Sequence, residues 1–161
     1  MRSGLQIGKC LNMQKKKSGL LTADKNYVPA SKDDGDELFP NGIFVFNITK
    51  MIEYIRERKD EMPLHSIEVR AYTRDFSRLN ENHIDQSDVT VPLILAEISP
   101  GKYNVIDGNH RLGKAYRMGL DHMAAYKLKP EQHMPFLTSL KAYHAYIEYW
   151  NSKIKCGAIR V

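Results

Sequence analysis

From Val91 to Leu128 the chain spells out, in order, a buried strand, a tight turn, a second strand, a glycine-containing polar loop, a short amphipathic helix and a further strand. No other stretch restricts the fold as much. Val91-Pro92-Leu93-Ile94-Leu95-Ala96-Glu97-Ile98 is apolar for most of its length without alternation, the pattern of a strand covered on both faces. Pro92 stands near its start, where a missing ladder donor is tolerated. Ser99-Pro100-Gly101-Lys102 supplies a turn, Tyr103-Asn104-Val105-Ile106 returns as the hairpin partner, and the hairpin delivers Asp107 to the sheet edge. Leu112, Ala115, Tyr116 and Met118 then share one side of a helix that Gly119 can end, and Met123 to Leu128 is the last strand.

The flanking segments add elements but no second core. Ile43-Phe44-Val45-Phe46, after the turn signal Pro40-Asn41-Gly42, reads as the first strand, and Asn47 caps a helix carrying Ile48, Met51, Ile52 and Ile55 at helical spacing, closed by Pro63. Ser66 to Thr73 reads as another strand, and Arg74 to Asp88 as a short helix and loop. Beyond Pro130 a long helix places Phe136, Leu140, Tyr143, Ile147, Trp150 and Ile154 at alternating spacings of four and three. This stripe packs back on the body or pairs with a second subunit; its short span favours packing back. The reading is an α+β chain in three parts: an irregular basic and polar arm over 1–38, a compact domain over 39–130, and a C-terminal helix over 131–161 packed on that domain.

Composition narrows the function. No run approaches the roughly 18 to 20 apolar residues of a membrane span, and the N-terminus lacks the apolar centre of a signal peptide, so a soluble cytoplasmic protein without membrane partners is expected. Cys10 and Cys156 show no metal-ligand spacing, and the six histidines form no pair set for a metal. The net charge of +5 suits a protein that meets phosphates but is spread along the chain, apart from Lys15-Lys16-Lys17.

Asp107-Gly108-Asn109-His110-Arg111 carries the chemistry. A helix start leaves backbone N–H groups without intrahelical partners and concentrates partial positive charge, so it attracts anions. Gly108 permits a tight turn and close backbone approach; His110 and Arg111 add donors, the guanidinium binding phosphate bidentately. The plainer alternative makes Gly108 a turn residue, Asn109 a helix cap and the two basic residues surface side chains.

With these residues in view, "VPLILAEISPGKYNVIDGNHRLGKAYRMGLDHMAAYKL" resembles the core of the ParB/sulfiredoxin superfamily, in which a hairpin precedes a Gly-x-x-Arg or Gly-Cys-His-Arg element, a helix and a final strand. The segment from Ile43 to Arg58 is similar, more loosely, to its first strand and helix. The spelling DGNHR also resembles the Asp-Gly-x-His-Arg signature of DGQHR-type proteins and free serine kinases. The resemblance implies a small mixed sheet with flanking helices that binds ATP, ADP or CTP with Mg²⁺, placing phosphate at Gly108, Asn109, His110 and Arg111. It departs at Asn109, where sulfiredoxins carry their nucleophilic cysteine, so reduction of sulfinic acids is not expected. Lys114 stands where ParB has alanine.

Asp107 is the candidate for catalysis and for Mg²⁺, either holding the metal or accepting a hydroxyl proton, or else it only steadies the positive helix end. Glu97 on the neighbouring strand either assists or is a strand-end carboxylate facing water. Lys114 either reaches a terminal phosphate or decorates the surface. The function expected is a nucleotide-binding protein, phosphotransferase or nucleotidase. The alternatives are a DNA-associated module of plasmid partition or DNA modification, whose basic arm meets phosphates, and a non-catalytic protein-interaction domain. A monomer is favoured, with a dimer as the other option.

Overall fold

The protein is described here by a computed structural model covering residues 19–72 and 79–158. Lys15-Lys16-Lys17, Cys10 and residues 73–78 lie outside the described residues. The chain folds as mixed α+β, with two small sheets and a long C-terminal helix.

The first sheet is a hairpin of β1 (Leu38–Asn41) and β2 (Phe44–Asn47), paired antiparallel with Leu38 opposite Asn47. The sequence suggests only the second strand; Ile43, expected inside it, lies in the turn and is exposed. Asn47 then caps α1 (Ile48–Glu57), its side chain accepting from the Lys50 amide at 3.1 Å, while Ile48, Met51 and Ile55 are buried. Pro63 is not what stops this helix. It ends five residues earlier, where the Arg58 amide folds back to the Ile55 carbonyl.

The main sheet runs β3 (His65–Glu68), β6 (His122–Leu128), β4 (Leu93–Ser99), β5 (Lys102–Asp107) in spatial order. β4 is antiparallel to β5 and parallel to β6, and β3 is antiparallel to β6. All seven residues of β4 are buried, as its unalternating sequence implies. Ile94, Ala96 and Ile98 join one apolar cluster with Phe46, Tyr143 and Trp150, whereas Leu93 and Leu95 join another with Leu112 and Ala115 of α3 (Asn109–Arg117). The sheet is therefore the middle of three layers. β3 stops at Glu68 and turns into a short 3₁₀ segment, Val69–Ala71, well before the expected Thr73, and the next described element is α2 (Glu81–Gln86). On α3 the buried residues are Leu112, Gly113 and Ala115; Tyr116 and Met118, expected on the same side, are about half exposed.

The long C-terminal helix is interrupted. α4 (Pro130–His133) passes into a 3₁₀ turn, Met134–Phe136, and α5 begins only at Leu140 and runs to Ala158. Pro135 has no amide to donate and disfavours helix in the residue before it. The break docks on the hairpin, where Leu137 bridges Phe46 and the Thr138 amide donates to the Val45 carbonyl. The buried face of α5 is Ala142, Tyr143, Tyr146, Ile147 and Trp150, while Leu140 is half exposed.

Residues 19–37 hold no helix or strand, yet they belong to the core. Leu21 and Tyr27 are buried; the Leu21 amide and carbonyl pair with the Asn151 side chain, and Tyr27 stacks on Tyr143 with centroids 3.7 Å apart. The Trp150 indole donates to the Gly19 carbonyl at 3.0 Å. Among the described residues no helix is long and apolar enough to cross a membrane.

Candidate functional site

β4 begins, β5 ends and α3 begins at one place. Gly108 between β5 and α3 has φ 99° and ψ 22°, and a Cβ there would lie 2.5 Å from Leu93 Cδ2 and 2.7 Å from Arg111 Nη2. Only glycine fits a left-handed position so crowded. The first helical bond runs from the Leu112 amide to the Gly108 carbonyl, so Gly108, not Asn109, is the N-cap. No side chain caps the helix, and no acidic residue stands in its first turn. The amides of Asn109, His110 and Arg111 thus open the helix with its partial positive charge unanswered by a cap.

Asp107 ends β5 at the sheet edge, with its side chain 17% exposed. Its Oδ2 accepts from Arg111 Nη2 at 3.1 Å, and the same nitrogen donates to the Pro92 carbonyl at 3.1 Å. Arg111 therefore staples the end of β5 to the start of β4 while Nε, also buried, meets no acceptor among the described residues. No group of three or more metal-binding side chains is found among the described residues. The carboxylate at this turn that could hold a Mg²⁺ is Asp107, since this ion takes one or two carboxylates and draws its other ligands elsewhere.

His110 stands edge-on to His83 of α2, ring centroids 5.3 Å apart. Sequence spacing carries no sign of this neighbour. Lys114 does not reach toward the first turn of α3: its Nζ donates to the Asp85 and Ser87 carbonyls, both at 2.8 Å, capping the end of α2. Arg117 holds both carboxylate oxygens of Glu81, a pairing that keeps the Glu81 carboxyl below the usual range.

Glu97 is not brought to Asp107. Ile94 lies opposite Asp107 and Glu97 opposite Tyr103, which sets the two carboxylates roughly 10 Å apart along the strand direction. Nor does Glu97 face water. Its side chain is 7% exposed, accepts from the Gly101 amide at 3.0 Å and pairs with Lys129 at 3.5 Å, so it fixes the β4–β5 turn. Tyr103 first, then Glu97, raises the Lys129 pKa. Asp107, Gly108, Asn109, His110 and Arg111 do converge; Lys114 and Glu97 serve other contacts.

Compared with known protein families, with curated proteins and with solved structures, the chain matches none.

Proposed function

We propose that the chain binds the phosphates of a nucleotide at the turn between β5 and α3, in the manner of the ParB/sulfiredoxin superfamily that its DGNHR loop resembles. One observation carries this reading: α3 starts on a left-handed glycine that admits no side chain, and its first turn is uncapped, with His110 and Arg111 as donors beside it. Backbone amides and a helix dipole converging in this way favour a phosphate. Arg111 adds a charged donor whose Nε has no partner among the described residues. Mg²⁺, when bound, would neutralise charge on the phosphates. Asp107 would hold it, or would accept the proton of a hydroxyl group, which makes a phosphotransferase or nucleotidase the reaction class of choice. Asn109 gives no thiolate at this turn, so sulfur chemistry forms no part of the proposal.

Calorimetric titration with ATP, ADP and CTP in the presence of Mg²⁺ tests it. Wild-type protein should bind at least one of them, and Arg111→Ala should weaken binding by about tenfold or more, the usual cost of losing a charge-assisted hydrogen bond. A melting curve of Arg111→Ala separates loss of contact from loss of fold. Absence of binding, or equal binding by a folded variant, overturns the proposal.

A further inference from the structure

His110, Lys114 and Arg117 recur at i, i+4 and i+7 along one face of α3, and each already has a partner in α2 or the turn behind it. The partners of the two full cations are oxygens: two main-chain carbonyls on Lys114 and one carboxylate on Arg117. Arg111 is likewise met by the Pro92 carbonyl, farther along the same segment. α2 itself is six residues long with Ile84 as its buried residue. A helix so short has little stability of its own. Beyond the buried Ile84, its attachment to α3 is polar, made with the basic groups that the phosphate reading needs or adjoins. Asp88, just beyond α2, is held below the usual carboxylate range by hydrogen bonds from Thr90, with Lys114 and Arg111 adding to the effect.

We infer that α2 and the turn after it form an autoinhibitory strap, whose oxygens occupy the basic face of α3 in place of those of an anionic ligand and which a polyphosphate displaces. The inference rests on the phosphate reading of α3 and extends it to regulation and ligand class. A lone phosphate at the first turn has no need of Lys114, one helical turn farther on. A di- or triphosphate that extends from the first turn competes with the Asp85 and Ser87 carbonyls for that ammonium. Apparent affinity then falls in proportion to the fraction of molecules whose strap is open.

The test uses the full chain and its Glu81→Gln variant, titrated with inorganic tripolyphosphate, together with hydrogen exchange at the Ile84 and Ser87 amides. These amides bond to the Asn80 and Ile84 carbonyls and report on α2. Glu81→Gln removes an exposed ion pair and should tighten binding roughly two- to fivefold, and saturating ligand should accelerate exchange at both amides in the wild type. Binding by the variant alone supports the strap as well, provided exchange in the ligand-bound variant accelerates too. Equal affinities with exchange unchanged or slowed overturn the strap while the phosphate reading stands. Tighter binding without faster exchange is a charge effect and also overturns it. If neither protein binds the probe, the strap is overturned, and the nucleotide titration decides the phosphate reading by itself.

Discussion

His133 is fully buried, and the Glu97 carbonyl 2.8 Å from its Nε2 can only accept, so the ring proton resides on Nε2. Nδ1 is then bare and partnerless among the described residues, in a niche with Phe46 and Tyr146 edge-on to the ring. A second ring proton would be a charge without water or counter-ion, and burial pushes the pKa from 6.5 down to about 4. Unfolding releases the ring to its ordinary value, so between these limits the unfolded chain binds the proton first. The contribution of His133 to stability is complete above pH 6.5 and declines as pH falls toward 4, by a total on the order of 3 kcal/mol. Urea denaturation between pH 7 and 4.5 checks this: wild type should lose more stability than His133→Gln, and parallel curves would contradict the assignment. The residues at the turn from β5 to α3, by contrast, are consecutive. Asp107 to Arg111 meet because they are local, and that is why they could be named from the sequence. His83 and Glu97 took their places through pairings that join distant segments, which no spacing records.

Among the elements, α5 shows what periodicity conveys and what it omits. Tyr143, Ile147 and Trp150 lie on the buried face as the stripe implies, and Trp150 is 2% exposed, with its indole bonded to Gly19. Leu140 and Phe136 do not continue that seam. The extended Leu137 and the two residues after it separate Phe136 from α5, and Leu140 at the first turn of α5 is half exposed. Truncating a buried tryptophan removes its transfer free energy and leaves a cavity, so Trp150→Ala should lower stability by about 3 to 5 kcal/mol. The seam is covered by the chain itself, so the variant's mass in light scattering should match the wild type. A dimer in the wild type that dissociates on mutation would show instead that the seam serves a second copy. The strands were legible to different degrees for a similar reason. β4 is covered on both faces and reads as an unbroken apolar run, whereas β1 contains Pro40 and a polar end and becomes a strand only because β2 lies beside it.

At the scale of the molecule, residues 19–37 are irregular, as their unpatterned sequence suggests, and they dock on the body. They lack periodicity because they form no helix or strand, but Leu21 and Tyr27 join the same apolar cluster as Tyr143 and Trp150 of α5. Burying two such side chains is worth about 3 to 5 kcal/mol, so deleting residues 1–37 should lower the urea midpoint and raise binding of a hydrophobic dye. An unchanged midpoint would make the docking incidental. The partners of this arm lie far along the chain: Leu21 pairs with a side chain 130 residues later, and the Tyr27 hydroxyl donates to a carbonyl 107 residues later. On the ribosome, which extends a chain from its N-terminus at about 5 to 20 residues per second, those apolar groups are made well before α5 and wait several seconds for it. A part of this core that is synthesised early thus cannot be covered until a late helix exists, and during that interval Leu21 and Tyr27 are apolar surface of the kind that chaperones hold.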